Sequence, residues 1–197
     1  MSSMDCRIVL GEAEFRAIGS RDTTDEYRFY AFYDRLIVDN EQAAGLSNEQ
    51  AKQRLTRGQL LLSRVGMFHS QVNNGGIEQF FWNCAELIFD LHDDLALLGV
   101  PAAVTAYEKA LDALAGEAES WIDLRERWGT AGDSPDFEDF VSSRELLDVE
   151  WFNAEFFGER DSTPSPRPRR EGLGDAIARA AITFVLEHRV DFVRASS

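Results

Sequence analysis

The sequence predicts an all-α fold, a single-domain bundle of about six to eight helices. Three observations carry this reading. Apolar residues recur at three- and four-residue intervals through most of the 197-residue chain. No stretch alternates apolar and polar residues over several positions, as a half-buried strand would. Breakers such as Asn73-Asn74-Gly75-Gly76, Gly116 and Gly132-Asp133-Ser134-Pro135 fall between the periodic stretches rather than inside them. With 44% hydrophobic residues the chain can bury a core, and no internal repeat points to a solenoid.

Taken in order, residues 1–22 show mixed periodicity and are expected to form a loosely attached arm or a short element. Residues 23–161 form the helical core. Thr24 is placed to cap a helix whose first turn holds Asp25 and Glu26 and whose apolar side runs through Tyr27, Tyr30, Leu36 and Ile37. Gly45 ends it. Ser47-Asn48-Glu49-Gln50 then fits a capping box, with Leu46 and Ala51 as a hydrophobic staple. The next helix runs through Leu55, Leu62, Val65, Phe68 and Val72 and ends at the Asn-Asn-Gly-Gly breaker.

A second helix restarts at once, burying Ile77, Phe80, Phe81 and Cys84, while Gln79 and Asn83 share a polar side. After a break near residues 83–85, Leu87, Ile88, Leu91, Leu95 and Leu98 continue the helical pattern. Pro101 suits the first turn of another helix, with Val104, Tyr107, Leu111 and Leu114 inward. A short helix holds Trp121, Leu124 and Trp128 and stops at Gly129. Phe137, Phe140 and Val141 then stand among acidic neighbours, and 146–157 reads as helical. Residues 162–172 are a Pro/Arg-rich linker, since its prolines cannot sit in a helix interior. The C-terminal segment 173–197 carries a last helix, Leu173 to Val193, with Ile177, Ala181, Phe184 and Leu186 toward the core.

Charge is unevenly spread. Residues 86–161 hold 20 acidic and 5 basic side chains, and this acidic middle segment accounts for the chain's net −15. Such a field repels nucleic acid and anionic membrane and attracts basic surfaces. The plainer alternative is a solvated acidic exterior that keeps the chain soluble. A salt-adapted proteome would also be acidic and poor in lysine, so charge alone leaves the role open.

No stretch approaches the roughly 20 apolar residues of a membrane span. The first residues lack a basic start and a long apolar run, so a cytoplasmic protein is expected. Cys6 and Cys84 lack metal-ligand spacing and read as two reduced thiols. His69, Glu78, His92, Asp93 and Asp94 fall in one region without the spacing of a bundle metal site, and the histidines read as surface or capping residues. Ser70 next to His69 makes no Ser–His pair on a helix, because neighbours point about 100° apart. No cofactor, metal or catalytic residue is expected.

The Asn-Asn-Gly-Gly joint has two readings. Structurally, glycine lets the second helix leave at a sharp angle and asparagine side chains satisfy orphan amides at its start. Functionally, the same N–H groups with Asn73, Gln79 and Asn83 bind an anion or polar ligand.

The stretch QVNNGGIEQFFWN at 71–83, followed by LLGVPAAVTAYEKALDAL, resembles the DNA-mimic protein family, acidic all-helical proteins mostly of unknown function. Its most specific feature is Asn-Gly-Gly-x-x-Gln-Phe-Phe-x-Asn, here Asn74, Gly75, Gly76, Gln79, Phe80, Phe81 and Asn83. The similarity runs from about residue 45 to 157, where LLDVEWF matches a late family segment. Gln71 stands where an acidic residue is common in the family, and Ile77 where an aromatic is common. The resemblance implies an all-α fold and, as in one member, dimeric binding to the DNA-binding surface of a transcription factor. The motif itself reads as mainly structural.

A compact chain of this length spans on the order of 40 Å, a length of duplex carrying about 24 phosphates. Twenty carboxylates in one segment match that scale if they face one way. The expectation is therefore a non-enzymatic interaction protein. Its acidic surface, including Asp93, Asp94, Asp136, Glu138, Asp139, Glu145, Asp148 and Glu150, occupies the DNA-binding surface of a basic partner. It would not bind nucleic acid directly, and a homodimer is implied by the resemblance. Rival expectations are a small-ligand-binding domain or enzyme using the Asn-Gly-Gly joint, and an accessory protein that neutralises a basic partner without resembling DNA.

Overall fold

The computed structural model describes residues 9–20, 22–38, 53–116, 120–131, 148–158 and 171–193. They form α1 (Glu12–Gly19), α2 (Asp25–Tyr33), α3 (Arg57–Asn83), α4 (Ile88–Leu98), α5 (Pro101–Ala115), α6 (Trp121–Ala131), α7 (Glu150–Phe157) and α8 (Leu173–Glu187). A π-helical turn, Asp34–Val38, follows α2, and 3-10 turns lie at Ala85–Leu87 and Arg189–Asp191. Among the described residues the only extended pairing is a single parallel bridge between Leu10 and Val193. The all-α expectation holds.

The helices gather into two compact units, residues 1–66 with 178–197, and residues 67–177. The divisions fall inside α3 and α8, not at the proline-rich stretch. The Ser47–Gln50 capping box, the linker at 162–170 and the Phe137–Val141 segment lie outside the described residues.

In the first unit, α1 buries Phe15 and Ile18, so this part of the expected arm is a packed element. Thr24 caps α2 as expected, its Oγ1 accepting the Tyr27 N–H at 3.2 Å. The buried side of α2 differs from the expected one: Phe29, Phe32 and Tyr33 face inward with Leu36, while Tyr27 is 54% exposed. Phe29 and Phe32 bury a whole ring at no polar cost, with Phe32 tilted against Phe15 at 5.2 Å between centroids.

The start of α3 has its own signal, which the reading of a helix continuing from Ser47 missed. Thr56 N–H donates to Gln59 Oε1 at 3.0 Å, and Gln59 N–H donates back to Thr56 Oγ1 at 3.2 Å. This reciprocal box satisfies two of the orphan donors at a helix start. A third, Gly58 N–H, donates to Asp191 Oδ2 at 3.2 Å, which sets a carboxylate on the positive end of the helix.

At the other end of this unit, α8 stops at Glu187, short of the expected Val193. Its inner face holds Ala178, Ala181, Ile182 and Val185, whereas Leu186 is 41% exposed and not part of the core. Where α3 passes α2, Gly66 lies directly under the Tyr33 ring, and a Cβ on Gly66 would overlap that ring.

The second unit centres on Phe68, Phe80, Phe81, Tyr107, Phe152 and Phe156, all at most 2% exposed. Phe68 meets Phe80, Tyr107 and Phe156 edge-on, at centroid distances of 5.1, 5.8 and 5.8 Å. Edge-to-face contact lets a ring's positive rim meet its neighbour's negative face. Tyr107 is wholly buried, and its hydroxyl donates to the Ile88 carbonyl at 2.9 Å. Helix α6 continues to Ala131, past Gly129, and α7 begins at Glu150, four residues later than the helical pattern begins.

Gly66→Ala should destabilise the protein by about 1–3 kcal/mol, because overpacking against Tyr33 outweighs the better helix propensity of alanine. Urea unfolding of the two proteins measures the difference; an alanine variant as stable as the parent would show that Tyr33 has another seat.

Candidate functional site

The most distinctive local structure is the bend inside α3. Gly75 (φ −160°, ψ 22°) and Gly76 (φ 80°, ψ 178°) leave helical geometry, so 57–74 and 77–83 are two helical segments meeting at an angle. Gly76 lies in a region open essentially to glycine alone. Its lack of a side chain also makes room: a Cβ would come within 2.5 Å of Asn153 Nδ2 on α7. Asn153 uses that space to cap the second segment, its Oδ1 accepting the Ile77 N–H at 2.9 Å. Sequence reasoning looked for this cap among Asn73 and Asn74. It comes instead from a residue 76 positions away, which local spacing does not reveal.

The polar side chains around the bend bond to one another. Gln71 Oε1 accepts from Gln79 Nε2 at 2.7 Å and from Asn83 Nδ2 at 2.8 Å, joining the segment before the bend to the one after it. Asn73 Nδ2 bonds to His69 Nδ1 at 2.9 Å, while Asn74 is exposed. Gln79 and Asn83 share a polar side as expected, and Phe80 and Phe81 are fully buried. The amides proposed to greet a ligand are thus engaged with protein partners, which favours the structural reading of the joint.

His69 is not the surface or capping residue that the sequence suggested; it is 2% exposed. Its Nε2 lies 3.2 Å from the Gly174 carbonyl, an acceptor, so Nε2 carries the proton and Nδ1 accepts from Asn73. The ring stands edge-on to Phe156 at 5.1 Å. Burial pulls its pKa down to about 4, against the opposing pull of the Gly174 hydrogen bond and the Asp175 carboxylate. His69 is a neutral bridge between α3 and the start of α8.

Cys84 offers no nucleophile, because burial and then Glu86 push its thiol pKa up to about 12. Tyr107 is raised well above the usual tyrosine value, first by burial and then by Cys84. No group of three metal-ligating side chains occurs among the described residues, and no described helix is long and apolar enough to cross a membrane.

The acidic residues divide. Asp93 is exposed but engaged: Arg125 grips it at two points, 3.2 and 2.8 Å, and holds its carboxyl below the usual carboxylate range, helped by His92. Asp94 faces the other way, 8% exposed on the inner side of α4 with Leu91 and Leu95, and so does not belong to an accessible acidic surface. Helical period decides this, since consecutive residues diverge by about 100°. Asp148 and Glu150 are exposed. Asp136, Glu138, Asp139 and Glu145 lie outside the described residues.

Three further carboxylates meet where α4, α5 and α6 adjoin. Glu108 faces His92 at 3.1 Å, Asp112 Oδ1 accepts the Trp121 N–H at 3.2 Å, and Asp90 acts on Arg125 through its charge. Sequence reasoning passed over them individually because their common location depends on how the helices pack.

Fold and surface together define a class: an all-helical protein built on a glycine-bent helix, with carboxylates on α4 and α5 facing partners on the neighbouring helices. The family model described as DMP19-like protein matches residues 53–166, more than half of the chain, and the chain belongs to this family of DNA-mimic proteins. The match takes in the bend and everything described from α4 to α7. No curated protein and no solved structure matches the chain.

Gly76→Ala should cost about 1–3 kcal/mol from backbone strain, and Asn153→Ala about 0.5–2 kcal/mol from the lost cap. Because both disturb one contact, the double variant should lose less than the sum of the single losses; full additivity in urea unfolding would separate Asn153 from the bend.

His69 makes a pH-dependent contribution. Its folded pKa lies below the ordinary histidine value of about 6.5, so between pH 6.5 and 4 the unfolded chain binds more protons than the folded one. The stabilisation is present above pH 6.5 and is lost as pH falls to about 4, by about 3 kcal/mol in total. His69→Gln, whose amide can donate to Gly174 and accept from Asn73, should flatten the stability profile across this window. An unchanged slope in the variant would assign the pH dependence to other groups.

Proposed function

We propose that this protein works by protein–protein contact, its acidic segment occupying the DNA-binding surface of a basic partner. The observation that carries the reading is the concentration of charge: residues 86–161 carry 20 acidic against 5 basic side chains. Four of these carboxylates support it further: Asp90 and Asp93 on α4 and Glu108 and Asp112 on α5 act on Arg125, His92 and the start of α6. Membership of the DNA-mimic family points the same way. The role is non-enzymatic, in the cytoplasm, with a homodimer as the form that the family resemblance suggests.

Physically, each exposed carboxylate adds little by itself, because its field is screened beyond about 8 Å at physiological salt. Acting together they steer a basic partner and speed encounter, which makes association fast and salt-sensitive. Duplex DNA and this protein would then compete for one surface on that partner.

The test is capture of partners on the immobilised chain, followed by titration with duplex DNA and with salt. A DNA-binding protein should be recovered and then displaced by both. Reversing the charge of Asp148 and Glu150 together, two exposed residues, should weaken its binding on the order of tenfold without altering the melting curve. Binding indifferent to salt, to DNA and to these reversals would refute the mimic role.

A further inference from the structure

One histidine on the acidic face sits in a geometry that its two protonation states cannot both satisfy. His92 Nδ1 lies 3.1 Å from Asp93 Oδ1, and Nε2 lies 3.1 Å from Glu108 Oε1. Ionised carboxylates only accept hydrogen bonds. A neutral imidazole has one N–H and one lone pair, so it can serve one of these carboxylates while its lone pair opposes the other. An imidazolium donates to both.

Three helices meet at this ring. Helix α4 supplies His92 and Asp93, α5 supplies Glu108, and α6 supplies Trp121, whose indole lies 4.7 Å from the imidazole. Helix α6 also supplies Arg125, which faces the cluster through its two bonds to Asp93 and feels the charge of Asp90. Among the described residues the charged groups around His92 are therefore Asp93 and Asp90 on its own helix, Glu108 and, through Trp121, Asp112 on α5, and Arg125 on α6. Asp93 has a permanent cation in Arg125 and keeps its charge balanced whichever state the ring adopts. The His92–Glu108 contact is an ion pair only when the ring carries its second proton, and a hydrogen bond from a neutral ring otherwise.

We propose that His92 is a proton-operated clamp between α4 and α5, tightened onto Glu108 as an ion pair when the ring is protonated and loosened to a single hydrogen bond when the ring is neutral. Histidine is the side chain whose unperturbed ionisation falls between pH 5 and 8, so the clamp is sought by comparing pH values on either side of that range. Loss of the second proton loosens the hold on Glu108 and makes the α4–α6 face more negative by one charge. For the partner contact, this consequence rests on the function proposed above. The clamp itself does not, and it is tested on the protein alone.

A double-mutant cycle between His92→Phe, which keeps a ring against Trp121, and Glu108→Gln, which keeps the side-chain shape, measures the coupling by urea unfolding. At pH 5.5 the pair should be coupled roughly three- to fivefold in the unfolding constant, and at pH 8.5 the coupling should fall below about twofold. Coupling of equal size at both pH values, or none at either, overturns the clamp. A second measurement avoids variants altogether. In the NMR spectrum of the wild-type chain, the Glu108 carboxyl resonance should move with the same pH midpoint as the His92 ring, and separate midpoints overturn the proposal. Loss of DNA-competitive partner binding with both of these results intact would refute the proposed function and leave the clamp standing.

Discussion

The described part of the second unit depends on one backbone conformation, the φ of +80° at Gly76. It turns the chain sharply enough for Phe80 and Phe81 to fold back toward Phe68, which sits on the same helix before the bend. A straight helix would place residues 12 positions apart about 18 Å from each other along its axis. The bend replaces that separation with a centroid distance of 5.1 Å between Phe68 and Phe80. The aromatic core, the seat of Tyr107 and the packing of α7 all follow from that return. Glycine supplies the angle, Asn153 satisfies the new helix start, and the Gln71–Gln79–Asn83 amides hold the two arms together.

This arrangement explains why amides stand directly against the stickiest segment of the chain. Interrupting a helix leaves backbone donors and acceptors without partners, and inside a protein such groups are costly unless satisfied. Asn153 supplies a backbone partner at the place where glycines remove helical ones, and the amide trio ties the two arms together through its own side chains. His69 does similar work one turn earlier, carrying a hydrogen bond from Asn73 through to Gly174 without placing a charge in the core. The family motif is thus mostly a device for bending, which leaves the exterior of α4–α6 free to vary in charge.

Much of the fold was legible because it is local. Thr24 capping α2, the break at Cys84, Pro101 opening α5 and the restart after Gly76 are written in residues close together in sequence. What escaped was set by packing between distant segments. Tyr27 and Phe29 both suit an apolar face of α2, and which of them turns inward is set by packing against other segments, such as the one that brings Phe15 to Phe32. Asn153 looks like any polar residue in an acidic helix until Gly76 is placed beside it. On the surface, Asp93 and Asp94 are equivalent letters, but helical phase sends one to Arg125 and the other inward. Glu108 and Asp112 gain a shared location only once α4, α5 and α6 have packed.

The first unit is discontinuous, drawn from residues 1–66 and 178–197, with Thr56 and Gly58 bonded to Asp191 more than 130 positions away. A growing polypeptide leaving the ribosome holds every residue of the second unit before Asp191 has been added. The second unit can therefore collapse during synthesis, as domains commonly do, while the first must wait for the last stretch of chain. Until then the first unit lacks Ile182, Val185 and Phe192, three of its buried residues, and the nascent protein has an incomplete core there. Stalled or truncated translation products of this chain are consequently the species in which chaperone binding and aggregation concentrate.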